Sequence, residues 1–185
     1  MKIIKKILKE SLLILIAASI VSTIGGFGLE ALKNKLSILL PLIILVPALN
    51  DMIGDFGTII SAKFTTLLFL GKIRKDWWNS KEVIEIFTVV ASIALLMAFY
   101  LGIITSIVGI IQHTPLTLID VLKIIAIAFM LVASLVLIIF FTSVFLGLKC
   151  YKKGKDPNNL LIPLSTALAD VLSLALFTAL IIILF

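Results

Sequence analysis

Apolar residues in this chain come in long runs, and the charges gather in short clusters between them. Residues 11–29, 86–111 and 124–148 carry no charge at all. Residues 36–71 are mostly apolar but enclose Asp51, Asp55 and Lys63, and residues 161–185 hold a single charge, Asp170. A helix crossing a hydrocarbon core of about 30 Å needs about 20 largely apolar residues. The pattern therefore predicts an all-α polytopic membrane protein with five transmembrane helices, over about 11–32, 36–71, 83–112, 120–148 and 161–185. Membrane barrels are built from segments of about ten residues that alternate apolar and polar, and none of these runs alternates.

The second run is too long for one simple crossing. As a straight helix, residues 36–71 would extend about 54 Å at 1.5 Å per residue. Pro41, Pro47, Gly54 and Gly57 punctuate it, and the stretch from Pro47 to Gly57 brackets both acids. The expectation is a long second helix that is kinked or locally broken there. Irregular backbone at membrane depth is tolerated where protein or a water-filled cavity covers it, and broken helices often build ion sites. The alternative is a long helix that projects into water.

Composition closes off the soluble reading. Hydrophobic residues make up 62% of the 185 and charged residues 14%, where soluble domains average about half and a quarter. A single domain of this size cannot bury so much apolar surface, so lipid covers the remainder. The longest polar stretches are loops, 72–82 and 149–159, so one transmembrane domain without a soluble regulatory domain is expected. Cys150 stands alone, which rules out an intrachain disulfide and reads as a reduced thiol near a membrane boundary. The net charge of +6 does not point to nucleic acid, because the basic residues sit between apolar runs and not on one soluble face.

Those basic residues set the orientation instead. Lys2, Lys5, Lys6 and Lys9 precede the first run; Lys72, Arg74, Lys75 and Lys81 follow the second; Lys149, Lys152, Lys153 and Lys155 follow the fourth. With five crossings all of these fall on one side, while Lys33, Lys35 and Lys123 fall on the other. The positive-inside rule then puts the N-terminus in the cytoplasm and Phe185 outside a cell membrane crossed several times. The lysine-rich start imitates a secretory signal, but its apolar run continues past Thr23, so it reads as a signal anchor with a cationic stretch on the membrane surface. Trp77 and Trp78 sit where interfacial aromatic anchors belong.

Candidate chemistry lies with the acids inside the apolar runs. An aspartate at the centre of a membrane helix costs about 2.5–3.5 kcal/mol on insertion scales, and Asp51, Asp55 and Asp170 are three of them. Asp51 and Asp55 are four apart and share a helix face. Asn50 adjoins them, Thr58 and Ser61 extend the stripe, and Ser165, Thr166 and Ser173 flank Asp170. Carboxylate, amide and hydroxyl oxygens suit hard cations. Mg²⁺ keeps several waters and is served by one or two carboxylates, while Ca²⁺ wants more protein oxygens. With one histidine and one cysteine in the chain, a dedicated zinc or copper site is disfavoured, and His113 reads as a solvated loop residue. The competing readings are structural: Asp51 or Asp55 paired with Lys63, the hydroxyls as glue between helices, and Gly25, Gly26, Gly28, Met52, Met97 and Met130 as packing residues. From the run ends, Asp170 and Asp55 are offset by about 10 Å in depth, which suggests successive stations and not one cage.

Two passages resemble the membrane domain of the MgtE magnesium transporter family and its eukaryotic solute-carrier relatives. Residues 46–71, VPALNDMIGDFGTIISAKFTTLLFLG, are similar to that family's second helix, where a proline-led apolar run meets a glycine–asparagine pair and then small polar residues and a basic residue. Here Gly54 and Asp55 stand at that pair, and Ala62-Lys63-Phe64-Thr65-Thr66 resembles the Ser-Arg-Leu-Ser-Thr stretch of the solute-carrier branch. Residues 156–173, DPNNLLIPLSTALADVLS, resemble the Asp-Pro and Pro-x-x-(Ser/Thr)-Thr-x-x-Asp pattern that opens the family's fifth helix. The resemblance implies that Asp170 is the central Mg²⁺-coordinating residue of a pore. It also implies one family repeat assembled as a homodimer, or as a heterodimer with a second half-size subunit, the second and fifth helices lining a pore between the chains. Asp55 replaces the family's asparagine, which adds a charge and bears on ion selectivity, and the cytoplasmic Mg²⁺-sensing domains have no counterpart.

The expected function is therefore transport, by a channel or carrier without enzymatic activity, of partly hydrated Mg²⁺ or of Mn²⁺, Co²⁺ or Ca²⁺. Asp170, Asp55, Asp51, Thr166 and Asn50 are the candidate metal-contacting residues. One alternative is an accessory membrane subunit that does not transport. Another is a membrane enzyme like the CDP-alcohol phosphotransferases, whose Asp-x-x-Asp-Gly motif Asp51, Gly54, Asp55 and Gly57 match with the wrong spacing. Residues 86–119 also lack the further aspartates that motif requires.

Overall fold

The computed structural model describes residues 40–73, 77 and 80–185, together with Leu12, Ile16, Ala17, Ser19, Ile20 and Thr23. Four long helices make up the described chain: α1 (Leu40–Phe69), α2 (Lys81–Ile111), α3 (Leu118–Lys152) and α4 (Asn158–Leu184). All four are long and apolar enough to cross a membrane, and no strand occurs among the described residues. They correspond to the second to fifth expected spans. Most of the first, with Gly25, Gly26 and Gly28, lies outside the described residues.

Of the kinked or locally broken helix expected for the second span, the broken form is not present. Every residue of α1 from Leu40 to Phe69 is helical, Pro47, Gly54 and Gly57 included. Proline forgoes one backbone hydrogen bond inside a helix, whereas a break would expose several backbone groups where no water can satisfy them. Within the membrane the continuous helix is the cheaper arrangement. The 30 described residues of α1 extend about 45 Å at 1.5 Å per residue, and the chain turns out of the helix at Leu70 and Gly71.

Local chemistry sets the helix ends. At the α1 terminus Gly71 has a positive φ of 67°, its N–H donates to the Leu68 carbonyl, and the Lys72 N–H donates to Leu67. This Schellman closure requires a left-handed residue, which glycine adopts without a Cβ clash. The same pattern ends α3 at Gly154. It also ends α2 at His113, with φ 60° and without the benefit of glycine. At the start of α3, Thr117 and Asp120 form a reciprocal capping box. The Asp156 carboxylate accepts from the Asn158 N–H at 2.9 Å, which lets α4 begin before its apolar run and carries Asp170 deeper into the helix than the run implied.

The helices pack as two triangles that share an edge. α1 and α3 touch each other and both outer helices, while α2 and α4 have no contact. The core is accordingly built from inward positions of α1 and α3, among them Leu45, Leu49, Ile53, Ile60 and Phe64 against Ile127, Leu131, Leu135 and Ile139. Trp77 belongs to this core and is not an outward anchor. It is 7% exposed, with its ring edge-on to Phe145 at 5.8 Å and to Phe141 at 6.4 Å. An aromatic pair of this geometry contributes about 0.5–1.5 kcal/mol beyond area burial. Trp78 lies outside the described residues. Cys150 is a buried thiol in the last turn of α3 whose Sγ donates to the Asp156 carbonyl at 3.7 Å, and Met97 and Met130 face outward.

Candidate cation site

Asp170 is reached from α1 where α1 packs against α4, and small residues permit the approach. A Cβ at Gly57 would lie 2.8 Å from the Ser165 Cβ and 3.3 Å from Ile139. Nothing larger than hydrogen fits there, so α1, α3 and α4 converge at this point. Close approach through glycine and serine is the usual way membrane helices gain van der Waals contact.

Two turns toward the α1 N-terminus the seam becomes polar. The Asn50 amide donates to Asp170 Oδ1 at 2.7 Å. Ser173 Oγ donates to Asn50 Oδ1 at 2.6 Å and also lies 3.1 Å from the Asp170 carbonyl. Asn50 thus spends its amide and its carbonyl on α4, and one Asp170 oxygen is held in a fixed direction. Of the expected metal-contacting residues, Asn50 is placed as the tether of the carboxylate. Ser173, which sequence grouped only as a flanking hydroxyl, is the second anchor of that tether. Its signal in the sequence was its place three residues after Asp170, on the same helix face.

Contacts along the seam fix the register. Asn50 meets Asp170, Gly54 lies beside Thr166 and Gly57 beside Ser165. Asp51 is therefore level with Asp170 to within about 1.5 Å along the helix, and Asp55 lies about 7.5 Å toward the α1 C-terminus. The offset between Asp170 and Asp55 is shorter than the run ends implied, and Asp51 is the carboxylate in the Asp170 layer.

Around the α1 circumference, Asp51 and Asp55 follow Asn50 by about 100° and 140° at 3.6 residues per turn. Both are exposed, as is Thr166, whose hydroxyl donates to the Ile162 carbonyl at 3.0 Å. Asp170 is partly buried. Among the described residues neither Asp51 nor Asp55 has a hydrogen-bond or ion-pair partner, so the alternative pairing with Lys63 is not formed. Ser61 does not extend the stripe. It is buried and shares a hydrogen bond of 3.2 Å with Ser143 on α3, acting as glue between helices.

Exposed positions on α1 recur at Ile43, Pro47, Asp51, Asp55, Ile59 and Lys63, a single stripe along the helix that at Ile59 and Lys63 borders a groove shared with α2. Two carboxylates at mid-helix on such a stripe, beside a tethered third, form an open acidic surface. No three His, Cys, Asp or Glu residues converge to hold a metal among the described residues. One chain therefore presents acidic oxygens along a face without enclosing an ion.

Comparison with curated proteins and with solved structures returns no match. The family model for MgtE, described as a divalent cation transporter, matches residues 46–180. That stretch runs from the α1 turn before Pro47 to the last turns of α4 and includes every residue of the acidic seam. With most of its length matched and its acids gathered on one membrane-spanning face, the chain belongs to the MgtE family of divalent cation transporters.

Proposed function

We propose that the protein moves Mg²⁺, partly hydrated, along the α1–α4 seam, with Asp170 as its principal contact. The observation that carries this reading is the Asn50–Asp170–Ser173 linkage, which holds a carboxylate oxygen in place at mid-helix beside an open acidic stripe. A mid-membrane carboxylate is costly, by about 2.5–3.5 kcal/mol on insertion scales, and a passing cation offsets that cost while a tether keeps the oxygen from collapsing onto the backbone. Mg²⁺ retains several waters and needs only one or two carboxylates, which suits oxygens spread along a face better than a closed cage does.

Asp51 serves the Asp170 layer, and Asp55 with Thr166 forms a second station one turn away. Two chains, related as a homodimer or paired with a half-size partner, cover the stripes of Asp51 and Asp55 and enclose the path between them. The N-terminus and the α1–α2 and α3–α4 turns face the cytoplasm, in line with the lysine distribution.

The test is flux in liposomes made with the purified chain. Asp170→Ala and Asp170→Asn are expected to lower Mg²⁺ uptake by at least about tenfold, equivalent to 1.4 kcal/mol of lost ion stabilisation, without preventing insertion. Uptake unchanged by both substitutions would remove Asp170 from the ion path.

A further inference from the structure

A second feature lies at the other end of the α1 stripe. α1 and α2 diverge over a groove of about 450 Å³ lined by Ile59, Lys63, Thr66, Glu82, Glu85 and Val89 together with neighbouring apolar residues. Its volume is that of a small-ligand site, which runs from about 300 to 1,000 Å³. The groove has a polar end and an apolar end. Glu82 and Glu85 lie in the first turns of α2, and Lys63 and Thr66 in the last two turns of α1, all near the α1–α2 turn. Ile59 and Val89 lie deeper along their helices.

The charges at the polar end are of both signs, and Lys72 and Lys81 also act electrostatically on Glu82. Lys63 and Glu85 are exposed and make no ion pair among the described residues. Glu82 accepts a hydrogen bond from Ser80 at 3.1 Å, which leaves acceptor capacity on its carboxylate. A cation and two carboxylates at a membrane boundary, above an apolar cleft that continues toward the bilayer centre, match a molecule with an anion, an amine and an acyl tail.

We propose that this groove binds an aminophospholipid of the leaflet that covers the α1–α2 turn. The lipid phosphate sits on Lys63, its primary ammonium on Glu85 and Glu82, and the upper part of an acyl chain lies against Ile59, Ile86 and Val89. Charge complementarity selects this occupant. A primary ammonium donates hydrogen bonds to carboxylates, a choline headgroup has no N–H to donate, and an anionic headgroup without an amine would meet two carboxylates. The proposal depends on the chain being embedded in the membrane and not on the ion path, so it is read by binding alone.

The experiment is native mass spectrometry of the delipidated full chain titrated with phosphatidylethanolamine and with phosphatidylcholine of matched tails. The expected result is a preference of about tenfold for the ethanolamine lipid, the scale of one charge-assisted hydrogen bond. Glu85→Gln should abolish the preference, Glu85→Asp should keep it, and Lys63→Met should weaken both lipids. Both side chains are exposed, so the variants should melt as the parent does. Equal binding of the two lipids, a preference untouched by Glu85→Gln, or cross-linking of Val89→Cys to a second copy in native membranes would each overturn the proposal.

Discussion

The tether at Asp170 turns on one amide. The Asn50 amide reaches from α1 to the Asp170 carboxylate, and its carbonyl accepts from Ser173. Asn50→Ala strips a donor from Asp170 and an acceptor from Ser173, and a buried or half-buried polar group that loses its partner costs about 1–3 kcal/mol. The expected outcome is an uptake reduced by about tenfold, at 1.4 kcal/mol per decade, and a lower melting temperature, read by liposome flux and thermal unfolding. Asp55 is a different case, because it touches nothing in the described chain. A unit charge about 7.5 Å from an ion at Asp170 contributes about 0.5–2 kcal/mol for effective dielectrics of 80 to 20. Asp55→Asn, which restores the asparagine expected from the family pattern, should therefore leave transport working. Its effect should appear as weaker Mg²⁺ affinity and weaker exclusion of monovalent ions, measured by competition in the same liposomes.

Glycine positions make the element scale testable in both directions. Gly57→Leu drives a side chain into Ser165 and Ile139 where even a Cβ is too close, and overpacking of this kind costs about 1–3 kcal/mol. Gly54→Ala meets only Thr166 Cγ2 at 3.8 Å, ordinary contact, and removes a weak helix former, so it should be neutral or stabilising by up to about 1 kcal/mol. His113→Gly places the residue suited to φ 60° at the α2 terminus and should raise stability by about 1 kcal/mol. Thermal unfolding in one detergent ranks all three. The helices themselves were readable from the sequence, because length and lipid solvation leave long apolar runs little other choice. Their ends were read less well, since Asp156 and Gly71 act through hydrogen bonds that hydropathy does not register. The expected break at Pro47–Gly57 failed because punctuation rules from water overstate how readily a membrane helix opens. Trp77 was misread for a related reason: boundary position alone does not say whether a ring turns toward lipid or toward Phe141 and Phe145.

At the scale of the molecule, the residue types of the site were legible, while their layering was not. Aspartates inside apolar runs announce themselves by their cost, but Asp51 falls level with Asp170 only because Asn50, Gly54 and Gly57 set the register of α1 on α4. That register also determines what the whole chain presents outward. The described helices leave Asp51 and Asp55 exposed on the side of α1 away from the core, whereas Leu96 on α2, 70% exposed, offers only apolar surface. Lipid can solvate the second surface and cannot solvate the first, so an assembly that transports ions should join its chains through the α1 stripe. In a Cys150→Ser background, Ile43→Cys and Pro47→Cys, which lie beside the acids on that stripe and outside the α1–α2 groove, should be joined between chains by a short bis-thiol reagent in native membranes. Leu96→Cys should remain monomeric under the same treatment. Mg²⁺ should alter the yield at Pro47→Cys and Ile43→Cys, since an ion between the facing carboxylates relieves their mutual repulsion. Cross-links at Leu96→Cys with none along α1 would place the interface elsewhere and leave the acids facing lipid, at a cost of about 2.5–3.5 kcal/mol each on insertion scales.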